Sequence, residues 1–284
     1  MRFTKMHGIG NDYVYVNLFE ETVKDPPALA WAVSRPHFGI GADGLILIGP
    51  GENAAFRMTV YNADGSRAKM CGNGARCVGK YLYDRGFTRE TEIPIETDSG
   101  LRTLHIEPEV GKAKRVTVDM GAPQRTFEEI PCLLGTGAVC PVHVEACGRA
   151  FSALPIGMGN PHCVIFSEEP ANDALLRTCG AALEKHPGFP QGANVEFARV
   201  LSRTSLSMRV WERGSGITLA CGTGASATLA AAVLLGLSAR EVRISLDGGE
   251  LLCSWDEATD HIFMTGPASF VFDGEWFEEA DDEH

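Results

Sequence analysis

Three features of this sequence predict an α+β fold made of two pseudo-symmetric domains. The chain repeats itself: residues 56–86 align without a gap onto residues 206–236, a shift of 150. Short strand-like runs outnumber helical ones and do not alternate with them regularly, which favours α+β over a doubly wound sheet. Finally, 284 residues suit two domains better than one, at roughly 150 residues per domain.

The repeat rests on Met58/Met208, Val60/Val210, Cys71/Cys221, Gly72/Gly222, Gly74/Gly224, Ala75/Ala225 and Gly86/Gly236. Four of these pairs form one block, CGxGA, and an aromatic residue, Tyr61 or Trp211, stands ten positions before each cysteine. Two more echoes keep the same order. Gly8-Ile9-Gly10-Asn11 matches Gly157-Met158-Gly159-Asn160 at a shift of 149, and Gly41-Ala42-Asp43 matches Gly192-Ala193-Asn194 at 151. The two halves are expected to join near Gly121-Ala122-Pro123.

Along the chain, residues 13–19, 45–48 and 56–61 read as strands, from their β-branched and aromatic content and partial alternation. The first CGxGA then opens a helix over 75–85, stopped by Gly86 as a C′ residue. Strand signals follow at 115–119, 162–166 and 206–211. The second CGxGA opens a helix over 225–235 that ends at Gly236. Because ASATLAAAVLL is apolar on nearly every face, this helix should be buried at the centre of its domain. A hairpin is expected through Asp247-Gly248-Gly249.

Composition narrows the function classes. Hydrophobic residues at 44% and charged residues at 22% are ordinary for a globular protein and exclude a disordered chain. Glycine is in excess, at 32 residues, but it lies in scattered GxG clusters that suggest tight turns and not a collagen repeat. The net charge is −12 with no run of Lys or Arg, which argues against nucleic acid as a partner. Seven acids fall within 273–284, read here as a solvated tail. The start, 1–11, lacks the apolar core of a secretory signal. The longest apolar stretch, 225–237, is shorter than the ~20 residues that span a bilayer. A soluble, cytoplasmic protein without membrane partners is expected.

The nine cysteines include no CxxC, and the eight histidines form no zinc-finger spacing, so no structural metal is expected. Cys132, Cys140, Cys147, Cys163, Cys179 and Cys253 are read as small buried hydrophobes with reduced thiols. Gly39 to Gly44 satisfies GxGxxG, but Leu45-Ile46-Leu47-Ile48 follows where a dinucleotide site needs a helix. No phosphate loop, HExxH or GxSxG is present.

Cys71 and Cys221 are different. A thiol followed by Gly-x-Gly at a helix start faces free N–H groups and the positive end of the macrodipole, which lowers thiol pKa and attracts a carboxylate. The glycines let a ligand approach the backbone. One such element suggests a nucleophile or redox thiol; two in pseudo-symmetric halves suggest opposed thiols across a cleft. Inverting a stereocentre by proton transfer needs that arrangement, with one thiolate removing the α-hydrogen and the other thiol protonating the opposite face. Such a pair titrates as a coupled unit. The helix N-termini would stabilise the carbanion through its carboxylate, and the scheme requires neither pyridoxal phosphate nor a metal. A thiol-based redox or binding protein without turnover is the alternative from another class.

KMHGIGNDYV, HFGIGADGLILI, YNADGS, KMCGNGARC, MGNPHCV, NVEF, WERGSGITLACGTGAS and MTGPA cover nearly the whole chain. With these motifs the sequence closely resembles the diaminopimelate epimerase family of the lysine and peptidoglycan pathway. It is less similar to the proline racemases, which carry a histidine where Asn73 stands, and less still to the phenazine-pathway isomerases, which lack the cysteine pair. A proline or hydroxyproline racemase-type enzyme is the alternative within the class.

The resemblance implies interconversion of LL- and meso-2,6-diaminopimelate without a cofactor, with Cys71 and Cys221 as proton donor and acceptor. It implies that Gly72-Asn73 and Gly222-Thr223 hold the reacting α-carboxylate, and that Asn11, Asn62, Asn160, Asn194, Glu212 and Arg213 bind substrate. It implies that His162 and Glu212 adjust the thiol pKa values. Arg213 suits a bidentate grip on the distal carboxylate. Some family members carry glutamine where Gly44 stands, so Gly44 is left out of the site. The implied fold is two α+β domains, each a mixed β-sheet rolled around a central helix. They are 1–121 with a C-terminal strand in 266–284, and 122–265, with the site between them and water excluded on closure. A homodimer is the assembly kept open.

Overall fold

The structure, a computed structural model, describes residues 1–277. Its elements are β1 (Arg2–Gly8), β2 (Asn11–Asn17), α1 (Pro26–Ser34), β3 (Gly44–Gly49), β4 (Phe56–Asn62), β5 (Arg67–Ala68), α2 (Gly72–Asp84), β6 (Glu92–Thr97), β7 (Gly100–Glu109) and β8 (Lys112–Asp119). There follow β9 (Val142–Ala146), β10 (Arg149–Gly157), β11 (Pro161–Phe166), α3 (Asp173–Leu175), a π-turn (Leu176–Gly180), α4 (Ala181–Glu184), β12 (Asn194–Ser202) and β13 (Ser205–Glu212). The last are β14 (Gly216–Ile217), α5 (Gly222–Leu234), β15 (Glu241–Leu246), β16 (Gly249–Trp255), β17 (Ile262–Gly266) and β18 (Ser269–Glu275). The chain divides into two compact units. Of the described residues, unit 1 holds Met1–Gly8, Asp12–Val116 and 267–277; unit 2 holds Ile9–Asn11 and Thr117–Gly266.

Each unit is a mixed sheet with the same strand relations. In unit 1, β18 pairs antiparallel with β1 and β1 pairs with β2; then β2/β3 is parallel, β3/β4 antiparallel, β4/β6 parallel and β6/β7 antiparallel. In unit 2 the series runs β9, β10, β11, β12, β13, β15, β16: β11/β12 and β13/β15 are parallel and the other neighbours antiparallel. The register repeats as well. Val14 sits opposite Leu45 and Leu45 opposite Tyr61, as Cys163 sits opposite Val195 and Val195 opposite Trp211. The internal repeat is therefore a repeat of backbone pairing, and it defines counterparts residue by residue.

The glycine blocks fold as their local chemistry dictates. Cys71 and Cys221 are the N-caps, and the helices begin at Gly72 and Gly222, so CGxGA forms the cap and first turn. Both helices end in the same two bonds. Phe87 N–H reaches Leu82 O and Gly86 N–H reaches Tyr83 O, matched by Leu237 to Ala232 and Gly236 to Val233. These are the paired bonds of a Schellman cap, which needs a left-handed residue; Gly86 and Gly236 supply it at φ +81° and +69°. Helix α5 is buried from Ala225 through Ala232, as its apolar sequence requires. Helix α2 also buries most of its length, including the whole of Arg76.

Three sequence expectations change. Cys140 and Cys147 are exposed and not buried. Cys140 precedes β9 in irregular chain, and Cys147 occupies the β9–β10 turn at φ +51°. The acidic tail does not begin at Asp273: Asp273 to Glu275 belong to β18, paired with Arg2 to Thr4 of β1. Residues 278–284 lie outside the described residues. Helix α1 was not foreseen, although Asp25 caps it by accepting from Ala28 N–H at 3.1 Å and prolines fill its first two positions.

Candidate active site

Each unit presents one cysteine at the start of its buried helix. In unit 1, Cys71 Sγ accepts from Gly74 N–H at 3.3 Å; in unit 2, Cys221 Sγ accepts from Gly224 N–H at 3.3 Å. The sulfur thus takes the place of the usual hydroxyl or carboxyl cap, facing amides with no intrahelical partner. At Gly224 the absence of a side chain helps the thiol fold back, since a Cβ there would stand 3.1 Å from Cys221 Sγ; at Gly74 a Cβ would make only ordinary contact with Cys71 Sγ, at 3.5 Å.

Around Cys71, Asn73 is buried, and its Oδ1 accepts from Arg76 Nη1 at 2.9 Å. Arg76 also donates through Nε to Pro267 O at 3.2 Å. This cation is entirely buried, and sequence reasoning assigns it no role. Its signal is an arginine where the helix face is otherwise apolar. Asn62 closes the β4–β5 turn, donating from Nδ2 to Ser66 Oγ at 2.9 Å. Gly44 lies opposite it, and a Cβ there would fall 2.1 Å from Tyr61 O. A side chain at position 44 does not fit this backbone.

Around Cys221 the polar groups are denser. His162 and Glu196 are both fully buried, with Nδ1 of the ring 2.7 Å from Oε1 of the carboxylate. The other ring nitrogen, Nε2, lies 2.9 Å from Asn160 Oδ1, so Asn160 serves His162. Glu212 accepts from Thr218 Oγ1 and interacts with Cys221. Burial raises the Glu212 carboxyl above its ordinary range, against the opposing pull of those hydrogen bonds. Burial also pushes the Cys221 thiol well up, and the nearby Glu212 and Glu196 carboxylates push it further. The helix N-terminus alone predicts the opposite shift; here burial and two acids override it.

Thr223 Oγ1 stands 3.5 Å from Cys221 Sγ, and Gly222 O is held by Ser226 Oγ at 3.0 Å. Asn194 Oδ1 accepts from Arg213 N–H at 2.8 Å, fixing the turn that carries Glu212 and Arg213. The Arg213 guanidinium is exposed and donates to Gln191 O at 2.7 Å. Asn11 belongs to unit 2, next to Gly10, which abuts Leu219 so closely that a Cβ there would be 2.8 Å from Leu219 Cδ1. Unit 2 therefore gathers Asn160, His162, Asn194, Glu212 and Thr223 with Cys221. Glu196 was missed; its signal is a single acid inside the apolar strand run NVEFA.

The repeated register gives four of these groups a counterpart in unit 1: Tyr13 for His162, Gly44 for Asn194, Ile46 for Glu196 and Asn62 for Glu212, so that Gly44, and not Asp43 as the sequence echo had it, stands where Asn194 does. The cysteines match, but their surroundings do not.

The architecture defines a fold shared with amino-acid racemases and epimerases. A probable proline racemase from Agrobacterium radiobacter K84 superposes with a TM-score of 0.75 at 16% identity, over 99% of this chain and 94% of that one. A hydroxyproline epimerase from Agrobacterium vitis gives 0.69 at 17% identity, over 96% and 91%. The sequence is more specific: residues 3–126 and 155–271 match the diaminopimelate epimerase family, and the chain belongs to it. A diaminopimelate epimerase of Acetivibrio thermocellus is 51% identical over 275 residues, covering 97% of this chain and 98% of that protein. That of Agathobacter rectalis is 48% identical over 282 residues, covering 97% and 99%.

Proposed function

We propose that this chain interconverts LL- and meso-2,6-diaminopimelate by two-base proton transfer through Cys71 and Cys221. The observation that carries the reading is the pair of cysteine N-caps. Two thiols at pseudo-equivalent positions each fold back onto a glycine N–H at 3.3 Å. The family membership and the names of the near relatives supply the substrate.

In one direction, one of the two cysteines acts as thiolate and takes the proton from one α-carbon, becoming a thiol. The electron pair left on carbon delocalises into the adjacent carboxylate, and the other cysteine, as thiol, returns a proton to the opposite face and becomes the thiolate. The reverse reaction exchanges the roles. Gly72-Asn73 and Gly222-Thr223, in the first helical turns, meet the reacting carboxylate where N–H groups and the helix dipole favour negative charge. Asn11, Asn62, Asn160, Asn194, Glu212 and Arg213 bind substrate, with Arg213 taking the distal carboxylate. His162 and Glu212 set the proton affinity of the thiols. The reaction needs no cofactor. In a cytoplasmic setting the nine cysteines, all free thiols in this structure, remain reduced. A homodimer is the proposed assembly, to be read by sedimentation.

The test is proton NMR of the reduced protein with LL-diaminopimelate in D₂O. Loss of the Cα–H signal with growth of the meso isomer supports the reading; exchange only with proline or hydroxyproline transfers it to the racemase-type alternative. Cys71→Ser and Cys221→Ser should each lose most turnover, and full activity in either removes the two-base scheme.

A further inference from the structure

Glu196 is fully buried on β12, and its Oε2 has no hydrogen-bond partner among the described residues. A carboxylate in that position is costly: desolvation penalises it, and one orphaned oxygen adds to the penalty. A buried ion pair is weak evidence for stability, because an apolar pair of similar volume commonly holds a fold as well. This protein contains its own comparison. The counterpart of Glu196 in unit 1 is Ile46, fully buried in the same register, and Tyr13 stands where His162 does. The strand and helix of unit 1 pack without the acid, so the pairing of β11, β12 and β13 does not require it.

The contacts of Glu196 indicate what it serves. Oε1 lies 2.7 Å from His162 Nδ1 and would lie 2.7 Å from a Cβ on Gly224, the residue whose N–H caps Cys221 Sγ at 3.3 Å. The ring of His162 is held at both ends, since Nε2 faces Asn160 Oδ1. Both ring nitrogens face oxygen atoms, so the orientation of the ring is fixed from both sides. The groups facing this cluster are His162 and Cys163 from β11, Glu212 from β13, and Cys221 with Thr223 at the start of α5.

We propose that Glu196 is a positioning residue for the epimerisation: it fixes the ring orientation and the Nδ1 proton of His162, and stands across Gly224 from the Cys221 thiol. Unit 1 has no equivalent, so the two thiols of a nearly symmetric reaction are controlled by different means. Cys221 is governed by a buried His–Glu pair and Glu212, whereas Cys71 has an aliphatic residue and an amide at the matching places. The inference rests on the reading of Cys221 as a proton-transfer group.

The test is Glu196→Gln, which keeps size and shape and removes the charge. Steady-state rates are taken from both LL- and meso-diaminopimelate, with Cα–H exchange in D₂O and the melting temperature measured alongside. The expected result is a fall in kcat of about 10²-fold, the lower range for a positioned proton-transfer partner, with KM held within about twofold. Wild-type kcat in the variant overturns the inference and leaves the function standing. A kcat loss matched by a rise in KM and a lower melting temperature marks a structural role and also overturns it. Absence of exchange by the wild-type protein overturns the function and this inference with it. Should the variant not fold, ¹⁵N NMR of His162 in the wild-type protein decides: a protonated Nδ1 supports the inference, and a bare Nδ1 refutes it.

Discussion

Adding one methyl group at each of two matched glycines separates packing from chemistry. At Gly224, a new Cβ would stand 2.7 Å from Glu196 Oε1 and 3.1 Å from Cys221 Sγ. Relief to an ordinary contact of roughly 3.4 Å moves the carboxylate by about 0.7 Å, enough to stretch its bond to His162 from 2.7 Å past the ~3.2 Å limit for such bonds. Losing a hydrogen bond to a charged group costs about 1.5–3 kcal/mol, and alanine's advantage over glycine in a helix offsets ~0.5–1 kcal/mol of it. The net is roughly 1–2 kcal/mol, or a few degrees of melting temperature in a chain of this size. At Gly74 the new Cβ would meet Ile46 Cδ1 at 2.4 Å, the tip of an aliphatic side chain that can turn at about 0.5–1.5 kcal/mol. Helix propensity offsets most of that. Gly224→Ala should therefore lower kcat by about tenfold, equivalent to ~1.4 kcal/mol, while Gly74→Ala stays within about twofold of wild type. Calorimetry gives the stability and NMR-monitored turnover the rate. Equal loss of activity in the two variants would refute the argument that the acid beside Gly224 matters to Cys221.

Three other outcomes are expected. In the folded protein at pH 8, iodoacetamide should label Cys140 and Cys147 but not Cys77, whose thiol burial pushes up to about 11, as peptide mass mapping will read; labelling of Cys77 at the same rate would contradict its burial. Glu212 carries a raised carboxyl, so its favourable contribution is present below the unfolded value of about 4.5 and lost as pH rises. Glu212→Gln should thus melt higher than wild type at pH 7, with the gap closing towards pH 4 in calorimetry; a gap independent of pH would sink the assignment. Glu96 has the opposite sign. Backbone N–H groups of Asn53 and Ala54 hold its carboxyl below the usual range, so its contribution is present above about 4.5 and lost on acidification. Glu96→Gln should melt lower than wild type at pH 7 and converge with it in acid.

What the sequence made legible was local or repeated. The cysteine caps, the glycine stops and the buried α5 were readable because their causes lie within a few residues of each other. The 150-residue repeat carried the pairing of whole sheets, since register follows the pattern that the repeat preserves. Burial that depends on distant chain was not readable. Cys140 and Cys147 looked like Cys163, yet only the last lies inside a central strand. The helical segment from Asp173 to Glu184 was missed because a π-turn interrupts its periodicity. Glu196 hid as one acid among apolar neighbours, with no motif around it to mark its role. Only the closing of β11, β12 and α5 around it shows that the side chain points inward.

The path of β18 has a consequence for synthesis. Its pairing joins Arg2–His7 to residues 269–275, so β1 lacks its outer neighbour until the end of the chain is made. At about 5–20 residues per second, the ribosome separates the two strands by roughly 13–50 s. Throughout that interval β1 is an open edge, with Arg2 and Lys5 as charged residues of the kind that discourage edge pairing. Every strand of unit 2 from β9 to β17 is translated before β18. The half of the protein that begins first is the half completed last.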